Sequence, residues 1–257
     1  LIISRYKTGQ AKNQKNQGFL PNLPREDEPA VSRIARNLEE VKGRIAAAAR
    51  GAGRDPALVR LLAVSKTVPL EHIREAVAAG QLLFGENYLQ EARPKIAALG
   101  AALSWHFIGH LQSNKAKAAV ALFEVIHGVD RLKLAQALDS AAASMGGIQK
   151  ILIQVNLAGE ASKSGATPET VPELLREFGR LPHLRVLGLM TLPPWLADPE
   201  AVRPYFRALR ELRDRLEAYC GQPLPELSMG MSGDFEVAVA EGATLVRVGT
   251  AIFGSRG

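Results

Sequence analysis

Cysteine is nearly absent from this chain of 257 residues. Cys220 is the single one, so no internal disulfide can close. With no signal-peptide pattern at the start either, a reducing, cytoplasmic setting is expected. Long apolar runs are missing too. None approaches the roughly 20 residues needed to cross a bilayer, so no membrane partner is expected. Aromatic residues make up only 5% of the chain, while aliphatic residues and alanine are plentiful, which suits helices packed on a parallel sheet. An excess of one charge sign is absent from most of the chain. The formal net charge is +6, but Arg5, Lys7, Lys12, Lys15 and Arg25 all precede the first acid, Glu26. Removing those five from 32 basic residues leaves 27 against 26 acids, a balance of +1. The bulk of the chain therefore lacks the basic surface that nucleic acid requires. Residues 1–25, rich in Gln, Asn and Lys without periodicity, read as disordered or as an artificial leader, and 26–257 as one folded domain.

What is present is a repeated unit. Val31, Ile34, Leu38, Val41 and Ile45 form one stripe of an amphipathic helix that Gly51 and Gly53 end. Eight short apolar runs follow, alternating with helical patterns: 61–66, 82–85, 105–109, 124–128, 150–156, 186–190, 226–231 and 244–248. Asp130 is expected to cap the helix after the fourth run, Thr167 and Pro168 to open the one after the fifth, and Ser232 to cap a short helix after the seventh. Eight such units over about 200 residues give the count of a single (β/α)8 TIM-type barrel, an α/β fold. The extra N-terminal helix before the first strand could fill the ring position left where the last outer helix is short. An open doubly wound sheet is the alternative, and the lack of a nucleotide fingerprint disfavours it.

In such barrels the chemistry collects at the C-terminal strand ends, with phosphate often bound after strands seven and eight. The first strand ends on Lys66. The seventh leads into Met229-Gly230-Met231-Ser232-Gly233-Asp234 and the eighth into Arg247-Val248-Gly249-Thr250. A hydroxyl and glycines at a helix start, beside a second glycine–threonine turn, suit an anion. Either loop alone would read as an ordinary cap and turn. Strand alternation places Arg247 deeper on the face of Gly249, where it needs either a carboxylate partner or a ligand heteroatom. Asn87, after the second strand, reads equally as a helix cap or as a group flanking a ligand. Ser65 is assigned to packing, and His106 reads as a core histidine. An amine opposite an anion cradle describes a ligand with an aldehyde at one end and a phosphate at the other, which pyridoxal 5′-phosphate fits. Burial of Lys66 near Arg247 would favour the neutral amine that an aldehyde requires.

Leu62-Ala63-Val64-Ser65-Lys66, Phe84-Gly85-Glu86-Asn87-Tyr88, Trp105-His106-Phe107-Ile108-Gly109, Gln154-Val155-Asn156 with Lys163 and Gly165, Gly188-Leu189-Met190, Leu227 to Ser232 and Val246 to Gly254 together resemble the pyridoxal phosphate homeostasis proteins, single-domain relatives of the alanine racemase N-terminal barrel. The resemblance runs from about residue 31 to the end. It implies that Lys66 holds the cofactor as a Schiff base, that Ser232, Gly249 and Thr250 bind its phosphate, and that Arg247 faces the pyridine nitrogen and keeps the ring neutral; Asn87 and Met231 are counted as further candidate cofactor-binding residues. It implies a carrier and buffer of vitamin B6, with other B6 vitamers and apo-enzymes as further partners and no established turnover. No metal is implied, and with no further apolar stripe to cover, a monomer is expected. The same residues leave a racemase or weak transaminase as the alternative. Racemisation needs an acid/base on each face of the substrate carbon. The second base, a tyrosine from a separate domain in the two-domain racemases, is expected to be missing here. A sugar-phosphate isomerase would share the phosphate corner, but paired acid and base residues at the strand ends are few.

Overall fold

The computed structural model describes residues 32–100, 102–160 and 164–254. The proposed leader 1–25, Val31 and Lys163 lie outside them. In chain order the elements are α1 Arg33–Gly51, β1 Arg60–Val64, α2 Leu70–Ala78, β2 Leu83–Glu86, α3 Leu89–Leu99, β3 Ser104–Phe107, α4 Ala116–Val120, β4 Val125–Val129, α5 Leu132–Ser144, β5 Gln149–Val155, α6 Val171–Phe178, β6 Leu184–Thr191, α7 Arg203–Cys220, β7 Glu226–Ser228, α8 Phe235–Ala240, β8 Leu245–Val248 and α9 Thr250–Phe253. Each strand pairs in parallel with the next, and β8 pairs with β1, so the sheet closes into the expected (β/α)8 barrel. The closing register sets Leu62 against Arg247 and Ala63 against Val248.

Alternation along the strands sorts side chains between two environments. Ile126, Ile151, Ile153, Leu189, Val246 and Val248 point outward and join the helices in the main apolar core. The opposite faces of β4, β5 and β6 supply Val125, Leu152 and Met190, a small apolar cluster separate from that core. Much of the remaining interior is polar, with His106, His127, Gln154, Ser228 and Arg247 all buried.

The extra helix takes the ring position foreseen for it. The stripe Ile34, Leu38, Val41 and Ile45 is buried, and α1 packs against α8, α9 and α2, bridging the two ends of the ring. Ser32 caps it, accepting from the Ala35 N–H at 3.2 Å. Asn37 Nδ2 donates to the Ile252 carbonyl at 2.8 Å and ties it to α9.

Several boundaries differ from expectation. Lys66 lies two residues beyond β1, so it stands on a loop and not on a strand end. Asp130 does not cap α5: Arg131 holds that position, and Asp130 Oδ2 accepts from the Gly165 N–H at 3.1 Å. The helix expected at Thr167 begins at Val171. Before α7 a 3-10 turn, Pro199–Val202, is capped by Asp198 and runs on into the helix.

Between β5 and β6 the register slips by one residue, Ile151 facing Val186 and Leu152 facing Gly188. Gly188 then lies so close to β7 that an added Cβ would collide with the Glu226 carbonyl. Gly188→Ala is therefore expected to force β6 and β7 apart and to destabilise the barrel by about 3 kcal/mol or more, read as a fall in the urea midpoint.

Candidate functional site

All seven residues singled out for ligand binding (Lys66, Asn87, Met231, Ser232, Arg247, Gly249 and Thr250) line one cavity of about 550 Å³ at the C-terminal ends of the strands. Barrel closure is the reason. Val64, at the end of β1, touches the loop after β8: a Cβ on Gly249 would stand 3.4 Å from the Val64 side chain and carbonyl. Lys66 and the Gly249–Thr250 turn also share the wall of an adjoining cavity of about 460 Å³. The amine-bearing side chain and the turn are thus neighbours on one face of the barrel, as the ligand reading requires.

Ser232 does not cap α8. Asp234 is the residue before that helix, and the Ser232 hydroxyl instead accepts from the backbone N–H groups of Gly249 and Ala251 at 3.3 and 3.5 Å. Two backbone donors, from Gly249 and from Ala251 in the first turn of α9, therefore converge on the Ser232 hydroxyl beside the β7 loop, an arrangement of the kind that suits an anionic oxygen. Asp234 Oδ1 accepts from the Met231 N–H at 2.6 Å and fixes that loop. Burial raises the Asp234 pKa.

Arg247 is buried at 3% exposure, and its direct partners are neutral acceptors, not the carboxylate that was one expectation. Nη1 donates to Ser228 Oγ at 2.6 Å and Nη2 to the Thr191 carbonyl at 2.9 Å. Burial pulls its pKa down to about 10, opposed by the charge of Asp234, so the guanidinium stays cationic at neutral pH. Its remaining N–H groups are left for the cavity that it lines. Asn87 is not a helix cap, since Tyr88 precedes α3 and makes no capping bond. The Asn87 Oδ1 atom is buried without a hydrogen-bond partner. Its backbone is held by close approach of Gly109, where any Cβ would collide with the Asn87 carbonyl. A buried acceptor of this kind at a cavity wall is the observation that best fits a bound ligand with a donor group.

From Arg247 a hydrogen-bonded chain runs through the barrel interior, from β8 by way of β7 and β4 to β3. Ser228 Oγ lies 3.0 Å from His127 Nδ1, and His127 Nε2 lies 3.0 Å from His106 Nδ1. Ser228 Oγ accepts from Arg247 and also bonds His127, so guanidinium, hydroxyl and two imidazoles form one connected chain. His106 belongs to this interior chain and does not line the mouth, while His110 and Gln112 line a neighbouring cavity that shares Asn87. Ser65, assigned to packing, hydrogen-bonds Glu86 Oε1 at 2.7 Å.

Sequence reasoning missed the loop from β6 to α7. Leu192, Trp195 and Leu196 close one side of the cavity, and Trp195 is 85% exposed at its rim. The signal was available: Leu192-Pro193-Pro194-Trp195 directly follows the sixth strand, at the end of the barrel where sites form. Among the described residues, no cluster of His, Cys, Asp or Glu could hold a metal ion, and no helix is long and apolar enough to cross a membrane.

Burial pushes the His106 pKa down from 6.5 to about 3 and holds His127 well below 6.5, helped by His106 and Arg247. Both rings are neutral in the fold, whereas the unfolded chain takes up protons as the pH falls through 6.5. Their stabilisation is thus complete above about pH 6.5 and drains away towards pH 3, with a slope of at most about 1.4 kcal/mol per pH unit for each ring. Urea titrations across this range should show that acid-side loss, reduced in His106→Gln.

The family model described as "Alanine racemase, N-terminal domain" matches residues 30–257. The pyridoxal phosphate homeostasis protein of Aquifex aeolicus is 49% identical over 228 residues, covering 88% of this chain and 98% of its own. Its namesake in Pseudomonas aeruginosa is 51% identical over 227 residues, 88% of this chain and 97% of its own. PipY of Synechococcus elongatus, solved with PLP bound, superimposes with a TM-score of 0.76 at 39% identity, over 86% of this chain and 100% of that one.

Proposed function

The chain belongs to the pyridoxal phosphate homeostasis protein family, within the alanine racemase N-terminal-domain family, and from that premise we propose that it binds and buffers pyridoxal 5′-phosphate through Lys66. The observation that carries this is the convergence of Lys66, Arg247 and the Ser232–Gly249 cradle on one cavity, whose volume of about 550 Å³ is in the range of small-molecule sites. Lys66 would hold the cofactor through its aldehyde, Ser232, Gly249 and Thr250 would hold its phosphate, and Arg247 would face the ring nitrogen, with Asn87 and Met231 at the sides. When bound, pyridoxal phosphate supplies an aldehyde that captures amines and a ring that withdraws electrons from them.

The chain's own groups favour carriage over turnover. Arg247 keeps its proton at neutral pH and so does not readily leave it on the ring nitrogen, and a neutral ring is the weaker electron sink. Among the described tyrosines, Tyr88, Tyr205 and Tyr219, none lines the cavity, so none is placed to act as a second base opposite Lys66. We read the protein as a cytoplasmic monomer that exchanges the cofactor, and other B6 vitamers that keep the aldehyde and phosphate, with apo-enzymes.

Purified protein mixed with pyridoxal 5′-phosphate should gain a long-wavelength absorbance band. Borohydride should fix the label on the tryptic peptide containing Lys66, and Lys66→Ala should lose both. Label on another lysine would refute the site. Incubating the loaded protein with L-alanine separates carrier from racemase: no sustained D-alanine is expected, and steady D-alanine production would reverse the assignment.

A further inference from the structure

Against the loop that carries Lys66, three charged side chains meet between β1, β2 and α3. Glu86, the last residue of β2, is fully buried, and Lys95 on α3 is 8% exposed. Lys95 Nζ donates to Glu86 Oε1 at 2.9 Å, to Glu91 Oε1 at 2.6 Å and to the Ser65 carbonyl at 2.7 Å. Glu86 Oε1 also accepts from Ser65 Oγ at 2.7 Å, and the Thr67 N–H donates to Glu91 Oε1. The residues on both sides of Lys66 are thereby tied to one buried ammonium group.

Two features set this knot apart from ordinary packing. Taking an ammonium and a carboxylate out of water is costly, and an apolar trio of similar volume would often serve stability as well or better. The cost is visible in Glu86, whose Oε2 is buried without a partner and whose pKa burial raises. The knot also holds a strained backbone. Thr67 has φ +61°, the one positive value at a non-glycine among the described residues, in a conformation that β-branched side chains avoid. The Glu91 bond to its N–H, together with the Thr67 hydroxyl on the Lys66 carbonyl at 2.6 Å, keeps it there.

We propose that Lys95, clamped by Glu86 and Glu91, is a positioning residue for Lys66. It fixes the Ser65 carbonyl directly and the Thr67 N–H through Glu91, so that the Lys66 side chain leaves the loop towards the cavity at a set angle. The proposal rests on the reading of Lys66 as the amine that takes the aldehyde. No contact of Lys95 with the ligand is involved, since Lys95 does not line the cavity.

A pair of backgrounds tests it, with pyridoxal 5′-phosphate as the probe. In the chain that keeps Lys66, Lys95→Met should slow covalent attachment about tenfold or more, because displacing a reacting group by ~1 Å can cost up to ~100-fold. In the Lys66→Ala background, where only the phosphate cradle and Arg247 hold the probe, adding Lys95→Met should leave its affinity within about twofold. Glu91→Gln, which loosens Thr67 but keeps the Lys95–Glu86 pair, should slow attachment by a smaller factor. It carries the same comparison if Lys95→Met does not fold. Equal losses in both backgrounds would mean that Lys95 merely shapes the barrel and would overturn the proposal, as would unchanged attachment in Lys95→Met. If the unaltered chain binds the probe but never attaches it, the reading of Lys66 itself falls, an outcome distinct from either.

Discussion

The pairing of β8 with β1 is the contact on which the candidate site depends. It is a run of parallel backbone hydrogen bonds between segments almost 190 residues apart, and it sets Leu62 beside Arg247 and Val64 against Gly249. Without it the Lys66 loop and the Gly249–Thr250 turn would lie on opposite edges of an open sheet. With it, one short stretch of closed barrel carries an amine, a buried guanidinium and a set of convergent N–H groups. The N-terminal helix belongs to the same constraint, because α1 covers the seam by packing on α2, α8 and α9.

Closure also creates an interior that a purely apolar filling would have left inert. Val125, Leu152 and Met190 form a small apolar cluster inside the ring, beside the buried polar groups His106, Gln154 and Ser228 on neighbouring strands. Arg247 can stay charged there because the Ser228 hydroxyl and the Thr191 carbonyl meet it, and the two neutral histidines beyond Ser228 add dipoles but no competing charge. The electrostatics of the cavity follow from this arrangement. The Arg247 cation is locked into the wall, the Lys66 amine sits on a loop, and the one acid lining the cavity, Asp234, accepts from the Met231 N–H.

The fold was largely legible because barrel strands and helices announce themselves locally. Eight apolar runs bounded by glycine and helical stripes sufficed to count units, and the helix stripe Ile34–Leu38–Val41–Ile45 is buried as its spacing implied. The seven candidate residues line one cavity for a similar reason: strand ends of a barrel share one face, so residues placed there by sequence meet in space. What failed were roles that depend on neighbours. Ser232 looked like a helix cap, yet its hydroxyl turns to Gly249 across the barrel mouth. Ser65 looked like filler, yet it is bonded to a buried glutamate. Trp195, followed by no helical stripe of its own, was passed over although its loop walls the cavity.

The amino-acid order by itself determined the repeating unit, the number of strands and which end of each strand carries chemistry, since these follow from periodicity and turn residues within a dozen positions. Only the tertiary structure decided who bonds to whom inside the ring: that Arg247 is met by neutral acceptors, that a chain runs from it to His127 and His106, and that Lys95 grips both neighbours of Lys66. Such partners come from different strands and helices, and no local pattern encodes a distance between them. Barrel closure supplies that distance.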